Sequence, residues 1–193
     1  MRVIAKSSYR SMPWKNGGGE TTEIIVSPLG ASLDDFDWRI SMASIASDGP
    51  FSLFTGIDRT LSILAGQGLE LAFPGRGAVR LDRMAAPFAF PADVPAAAHL
   101  VSGVIENLNV MTRRNRFRHH VSRMRIETRT ELPRSGEILL VLPRGASATI
   151  CTSFAELRVG ECDAALFEPM LAEPIEVRPD AALELYVVDL WPM

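Results

Sequence analysis

The sequence predicts an all-β protein of the sandwich or barrel type. Short apolar or alternating runs are interrupted every several residues by glycine or proline, of which the 193-residue chain has 14 and 13. No segment sustains the i, i+3, i+4, i+7 apolar spacing of a long amphipathic helix. Because 47% of the residues are hydrophobic, the chain has enough apolar surface for a sizeable core and is expected to fold throughout.

Alternating side chains predict strands in the first part of the chain. The clearest case is segment 36–46, in which apolar residues occupy one face and mostly polar residues, including Arg39 and Ser41, occupy the other. Glycine-containing turns at 66–68 and 74–77 predict two successive hairpins. After an opening strand, the predicted strands of this part are 21–27, 36–46, 51–54, 59–65, 69–73, 99–102 and 104–112.

The last of these strands has a polar face. Asn107, Asn109 and Met111 alternate with Leu108 and Val110, so two amides share one side of the strand. Repeated amides opposite an apolar face indicate a polar-lined interior backed by a hydrophobic layer. The alternative is that the two amides stabilise turns near the end of the strand.

A second set of strands has a similar rhythm, although no residue-level repeat relates it to the first. Its predicted strands are 137–142, 147–153, 164–167, 175–178 and 183–190. We therefore expect two β-barrels or β-sandwiches, one formed by residues 1–115 and the other by residues 116–193. Exchange of strands between them is left open.

Composition excludes several classes of partner. Twenty basic and 23 acidic residues give a formal charge of -3, so the whole chain has no field that would attract nucleic acid or anionic lipid. The first residues lack the apolar core of a signal peptide, and no apolar run approaches the roughly 18 residues of a membrane span. We expect a soluble, cytoplasmic protein without a membrane partner, in which a homodimer is an open possibility. Cys151 and Cys162 are isolated and are expected to be buried free thiols.

The residues that usually carry metal or covalent chemistry lack the required spacing. His119 and His120 are adjacent and would point to opposite sides of a strand, while His99 stands alone, so no metal site is expected. The chain has no G-x-S-x-G nucleophile motif, and Lys15 precedes its glycines instead of following them as in a phosphate loop. The sequence therefore assigns no cofactor and no catalytic residue.

The most unusual stretch is 12–22, which contains Trp14, Lys15, Asn16 and three successive glycines. Glycines permit positive φ and close approach of another group, but fixing them is entropically costly. A flexible loop before a strand is the simpler interpretation. Because such a loop has no need of a tryptophan beside a lysine and an amide, we expect the stretch to border a binding site, with Trp14 as a lid.

Polar groups on strand faces and beside glycine turns form the candidate ligand-binding set. Cationic groups can pair with a carboxylate, and amides and hydroxyls can hold carbonyl or carboxyl oxygens. For Arg39 and Arg59 the alternatives are a solvated strand face or salt bridges to Asp37, Asp48 or Asp58. The candidate residues are Trp14, Lys15, Asn16, Gly17, Gly18, Thr21, Arg39, Ser41, Arg59, Asn107, Asn109 and Met111.

Segment 113–125 contains six arginines and two histidines with no acidic residue, which makes it the one positive block in the sequence. It could bind nucleic acid or an acidic partner. Aromatic interleaving is limited to Phe117 and the chain is net acidic, so nucleic acid is an unlikely partner. A solvated link between the two halves accounts for the charge equally well.

Several motifs together resemble the signature of the HutD/Ves family. They cover roughly residues 12–114 and occur in the order expected for that family. They are P-W-K-N-G-G-G at 13–19 with T-E-I at 22–24, W-R-I-S-x-A at 38–43, D-G-P-F-S at 48–52, G-I-D-R at 56–59, L-x-G-x-G-L-x-L at 64–71 and N-V-M-x-R at 109–113.

Two positions depart from the family pattern. Where the family usually has F-x-G-D, this chain has Phe90-Pro91-Ala92-Asp93, and Asn107 stands where the family usually has an aspartate. The resemblance implies a bicupin, with two cupin or jelly-roll barrels in one chain and without the histidines of metal-binding cupins. It also implies an association with histidine utilisation or stress response and a role in binding a small acid such as a formylated glutamate.

Three functions are compatible with these patterns. The leading hypothesis is a non-enzymatic binder or sensor, in which Lys15 and Arg59 receive a carboxylate while Asn16, Ser41 and Asn109 fix the rest of an acyl-amino acid. The alternative is a metal-independent enzyme, an isomerase or amide hydrolase that uses Lys15 or a histidine as base. A third class is a scaffold or regulator that acts through the arginine run.

Overall fold

The computed structural model describes residues 1–14, 17–132, 135–168 and 174–193. These residues form strands and one short 3-10 helix, Lys6–Ser8. The strands are β1 (Arg2–Ile4), β2 (Arg10–Pro13), β3 (Gly19–Ser27), β4 (Trp38–Ile45), β5 (Gly49–Pro50), β6 (Ile57–Ala65), β7 (Leu69–Phe73), β8 (Gly77–Leu81), β9 (Phe88–Pro91), β10 (Ala97–Leu100), β11 (Ile105–Arg113), β12 (Phe117–Ile126), β13 (Thr130–Leu132), β14 (Ile138–Arg144), β15 (Ala148–Cys151), β16 (Glu156–Val159), β17 (Ala164–Phe167), β18 (Ile175–Pro179) and β19 (Leu183–Pro192).

The chain divides into two compact units. One consists of residues 10–118 together with Met193, and the other of residues 1–9 and 119–192. We call them the central unit and the terminal unit. The first nine residues belong to the terminal unit because β1 pairs with β17, with Arg2 opposite Leu166.

The central unit contains a six-stranded sheet in the order β2-β3-β4-β11-β6-β9 and a four-stranded sheet in the order β5-β10-β7-β8. Both sheets contribute to one apolar cluster, in which Leu61 and Ile105 of the first sheet pack with Leu71 and Ala98 of the second. The two sheets therefore share a core, as apolar faces of β-sheets require.

Strand register decides which side chains of the six-stranded sheet lie together. Met111 on β11 lies opposite Arg39 on β4 and opposite Arg59 on β6, and Asn109 lies opposite Ser41. Because side chains alternate along each strand, these residues and Asn107 share one face of the sheet. This face is where the functional residues collect.

The terminal unit also contains two sheets, in the orders β1-β17-β14-β19-β12 and β13-β18-β15-β16. Its core joins Leu139 and Val187 of the first sheet to Ile150 and Val177 of the second. The Tyr9 hydroxyl donates to the Cys162 carbonyl at 2.8 Å, and burial raises the pKa of this phenol.

The all-β class is confirmed, but some predicted elements are not. Residues 51–54 form a loop instead of a strand, because the amides of Phe51 and Phe54 bond to single carbonyls of Ala96 and Ala92 and not to a ladder. The turn at 66–68 does not make a hairpin, since β6 and β7 belong to different sheets. The hairpin β7–β8 is confirmed. The sheets are open, so the arrangement of two closed barrels stays a prediction.

Candidate ligand-binding site

The central unit contains a cavity of about 550 Å³ on the polar face of its six-stranded sheet. This volume lies in the range of small-molecule sites. The β2–β3 hairpin, strands β4, β6 and β11, and the segment 47–54 contribute to its walls. The sequence-predicted candidates that line it are Trp14, Gly18, Thr21, Arg39, Ser41, Arg59, Asn107, Asn109 and Met111. Gly17 is exposed and does not line it, and Lys15 and Asn16 lie outside the described residues.

Arg59 is the unusual charge of this cavity. It is 5% exposed, and its guanidinium carbon lies 5.2, 5.4 and 5.9 Å from the ring centres of Phe51, Phe54 and Phe90. Its Nη2 is 3.7 Å from the Met111 sulfur, and its Nε has no hydrogen-bond partner. Among the described residues, no carboxylate forms a salt bridge with it. Buried charges are normally paired, so this cation calls for an explanation.

The acids predicted as alternative partners of Arg59 are engaged elsewhere. Asp37 contacts Arg116, Asp48 contacts His99, and Asp58 contacts Arg114. Burial, with a smaller contribution from the charge of Arg39, lowers the pKa of Arg59 to about 10, so the guanidinium is cationic at neutral pH. The cavity therefore contains a full positive charge without a protein counterion in the described part of the chain.

Arg39, in contrast, has a counterion. Its Nε donates to Glu23 Oε2 at 2.6 Å, and the two side chains are 7% and 16% exposed. Glu23 lies on β3, next to β4 in the sheet. No local sequence pattern predicts this partner, because Glu23 lies 16 residues from Arg39. Since Glu23 neutralises Arg39, the cavity wall carries one net positive charge from its two arginines.

Two buried amides form the next row of the same face. Asn107 is fully buried and Asn109 is 8% exposed. Asn109 Nδ2 donates to Asn107 Oδ1 at 2.5 Å, which leaves Asn107 Nδ2 and Asn109 Oδ1 buried without partners. Exchanging the oxygen and nitrogen of both amides would again leave one donor and one acceptor free. Buried amides are normally satisfied, so both groups are available to a guest molecule.

Trp14 and Gly18 of the glycine-rich stretch line the cavity beside β2 and β3. The Trp14 indole N–H donates to Thr21 Oγ1 at 2.8 Å, and the Trp14 backbone amide donates to the Gly19 carbonyl at 2.9 Å. A Cβ on Gly19 would overlap the Ser44 carbonyl oxygen and would lie 3.1 Å from the Trp14 ring. This glycine therefore allows the hairpin to lie against β4, and the role of Trp14 as a lid stays a prediction.

We expect Gly19→Ala to lower the free energy of unfolding by about 2 kcal/mol, because the methyl group must displace backbone or the Trp14 ring. Urea denaturation measures this loss. The matched control is Gly49→Ala, whose Cβ meets nothing within 4 Å and whose stability should stay within about 0.5 kcal/mol of the parent. Equal stability of both variants would contradict the tight hairpin.

Three aromatic residues and an acid at this site were not among the predicted ligand-binding residues. Phe51, Phe54 and Phe90 surround Arg59, and Asp48 contributes to the cavity wall. Asp48 accepts the Leu100 amide at 2.7 Å, and this bond, with the His99 contact, lowers its pKa. Nothing in the sequence spacing of the phenylalanines distinguishes core packing from packing around a buried cation.

The arginine run is largely neutralised by acids, most of them from distant parts of the chain. Arg114 contacts Asp58 and Asp93, and Arg125 contacts Glu127 and Glu184. Arg113 Nε donates to the Phe36 carbonyl at 3.0 Å. The run lies on the end of β11, the turn that follows it and β12, and it contains the boundary between the central unit and the terminal unit. The concentration of charge in the sequence is therefore not a concentration of unpaired charge.

Cys151 and Cys162 are free and buried, which confirms their prediction as free thiols. In the ranges that the structure describes, no three histidine, cysteine, aspartate or glutamate side chains are grouped as metal ligands would be. The same ranges contain no helix long and apolar enough to span a membrane.

The fold resembles that of cupins. A cupin 2 conserved barrel domain protein from Leptotrichia buccalis superimposes with a TM-score of 0.59 at 8% identity, covering 93% of this chain and 95% of that one. The fold and the cavity thus define a cupin-like, all-β protein with a polar cavity of ligand size.

The particular family follows from sequence comparison. The HutD family model matches residues 6–184, so the chain belongs to the HutD family, as the motifs indicated. It is 40% identical over 125 residues to Protein Ves of Citrobacter koseri, covering 63% of this chain and 62% of that protein. It is 36% identical over 118 residues to an uncharacterized 21.2 kDa protein in the hutC 3' region of Pseudomonas putida, covering 61% of each. These alignments span less than two thirds of either relative.

Two solved structures match nearly the whole chain at 27% identity. A conserved protein of unknown function from Pseudomonas aeruginosa PAO1 superimposes with a TM-score of 0.91, and the alignment covers 98% of this chain and 97% of that chain. HutD from Pseudomonas fluorescens SBW25, in a formate condition, superimposes with a TM-score of 0.80, and the alignment covers 100% of this chain and 98% of that chain.

Proposed function

We propose that this protein binds a small carboxylate metabolite, an acid of the formylglutamate kind, and acts as a metabolite sensor without catalysing a reaction. The observation that carries the proposal is Arg59, a cation 5% exposed beside a cavity and without a described counterion. Desolvating an arginine is costly unless an anion joins it. A ligand carboxylate supplies that anion and gains charge-assisted hydrogen bonds in return.

The rest of the cavity suits the remainder of such a ligand. Ser41 and the amides of Asn107 and Asn109 line the same face as Arg59, and Trp14 and Met111 provide apolar walls. We propose that Lys15 and Asn16, which follow Trp14 in the sequence, contribute a second charge and an amide to ligand binding. This division places the carboxylate at Arg59 and the polar acyl group at the amides.

The family supports the biological setting of the proposal. One relative is a protein of the hutC 3' region, and a solved relative is named HutD. We therefore propose a link to histidine utilisation, on a frame of two cupin-type barrels. The protein would report the concentration of an acid of that metabolism through occupancy of its cavity.

Calorimetric titration with N-formylglutamate, N-acetylglutamate, glutarate and formate tests the proposal. We expect saturable 1:1 binding of at least one of the larger acids. Analysis of the mixture after long incubation should recover the ligand unchanged, because a sensor binds and releases its ligand without converting it. Product formation would favour the metal-independent enzyme, and absence of binding across the set would overturn the proposal.

The pH dependence of the affinity separates a charge clamp from a histidine-assisted site. Arg59 is cationic below its pKa of about 10, and the ligand carboxylate is ionised above about pH 5. We expect the dissociation constant to be constant from about pH 6 to about pH 9 and to rise as the carboxylate protonates below about pH 4. Titrations at several pH values measure this, and a transition near pH 6.5 would instead implicate a histidine.

A further inference from the structure

The free groups of the two buried asparagines add a second requirement for the ligand. Asn107 Nδ2 is an unused donor and Asn109 Oδ1 is an unused acceptor, on side chains at least nine-tenths buried. A carboxylate can use the donor but would set its negative charge against the acceptor oxygen. An ammonium can use the acceptor but would bring a further charge toward Arg59. An uncharged amide uses both groups, because it has one carbonyl oxygen and at least one N–H.

The charge balance of the cavity agrees with this requirement. Glu23 neutralises Arg39, and Asp48, a carboxylate of the cavity wall, is exposed and contacts His99, so Arg59 is the lining arginine without a described counterion. One carboxylate balances that charge. A second buried carboxylate would have no cation left to pair with among the described lining residues, and desolvation would oppose its burial.

The spacing of the two features fits a single small molecule. Met111 lies opposite Arg59 in the sheet, and Asn109 is two residues before Met111 on the same face. The Cβ atoms of diagonal neighbours of this kind are about 7 Å apart. Arg59 and Asn109 line the same cavity, so a carboxylate at Arg59 and an amide at the asparagines can belong to one small ligand.

From these observations we infer that the cavity selects acids that carry an uncharged carboxamide, and that the Asn107–Asn109 pair reads the amide by giving one hydrogen bond and accepting one. This inference rests on the proposed function and specifies its ligand class. Asn109 is then a specificity-determining residue, because its free oxygen accepts an N–H that an ester and a carboxylate lack.

Four linear acids that differ at one end test the inference. In 5-amino-5-oxopentanoate the end is a carboxamide, in monomethyl glutarate a neutral ester without a donor, in glutarate a carboxylate, and in 5-aminopentanoate an ammonium. We expect the carboxamide to bind about tenfold more tightly than the ester or glutarate, and at least 100-fold more tightly than the ammonium compound. Calorimetry or ligand-observed NMR measures these ratios.

The variant Asn109→Leu removes the acceptor that an amide N–H can use and an ester cannot, without adding charge. We expect it to weaken the carboxamide about tenfold and to leave the ester unchanged, so that the two bind equally. The control is Ser62→Ala, which removes a buried hydroxyl outside the cavity wall and should keep the preference. Equal affinity of amide and ester for the parent protein would overturn the inference while the proposed function stood. Absence of binding by all four acids and by N-formylglutamate would overturn both.

Discussion

Replacing Arg59 with methionine is expected to weaken binding of the carboxylate ligand at least 100-fold while leaving the ligand-free protein as stable as the parent or more stable. The affinity falls because the buried cation is the group that balances the carboxylate, and truncating one partner of a buried charge pair costs about 2–5 kcal/mol. Calorimetric titration measures the affinity and urea denaturation measures the stability.

The unchanged or higher stability follows from the surroundings of Arg59 in the free protein. The side chain is 5% exposed and has no described carboxylate partner, so its desolvation opposes folding. Contacts with three phenylalanine rings offset part of that cost, each by about 1 kcal/mol. Methionine has a similar length, fills the aromatic cage and carries no charge.

Arg76→Met is the matched control, because Arg76 is exposed in the β7–β8 turn and the variant has the same change in net charge. It should bind as the parent does. A loss of affinity in the control comparable to that in Arg59→Met would mean that net charge, and not this cation, determines binding. A marked loss of stability in Arg59→Met would show that Arg59 is structural.

Replacing Glu23 with glutamine has the opposite pair of effects. We expect the free energy of unfolding to fall by roughly 2–3 kcal/mol, because Arg39 becomes a second buried cation without a counterion. The affinity for a carboxylate should rise about tenfold, since the cavity then has two uncompensated positive charges. Urea denaturation and calorimetric titration measure the two effects on the same preparation.

Glu20→Gln is the control for this variant, since Glu20 lies on the same strand and is exposed. It should leave both stability and affinity unchanged. Tighter binding in Glu20→Gln would mean that any loss of negative charge on β3 suffices. Weaker binding in Glu23→Gln would mean that the Arg39–Glu23 pair positions the site instead of neutralising it.

The sequence predicted the polar face of the site because alternation is a local property. The alternating pattern of 36–46 put Arg39 and Ser41 on one side of β4, and the pattern of 104–112 put Asn107, Asn109 and Met111 on one side of β11. Register then joined these faces, with Ser41 opposite Asn109. Once both strands lie in one sheet, side-chain alternation alone makes them a common wall.

What the sequence could not predict depends on pairing across the fold. Arg39 and Glu23 are 16 residues apart, and Arg114 and Asp58 are 56 residues apart. No local sequence pattern therefore shows that these two arginines are neutralised by those acids. The change of sheet between β6 and β7 is also invisible locally, because Gly66 and Gly68 are as typical of a hairpin as of a crossing. Which cation stays unpaired is therefore a property of the three-dimensional structure.

The central claim is that a small carboxylate enters the cavity and pairs with Arg59. A crystal structure of the protein with saturating N-formylglutamate tests it most directly. We predict ligand density in the cavity with a carboxylate oxygen within about 3 Å of the Arg59 guanidinium. An empty cavity at a ligand concentration that saturates the protein in solution, or a carboxylate bound elsewhere with Arg59 uncontacted, would contradict the claim.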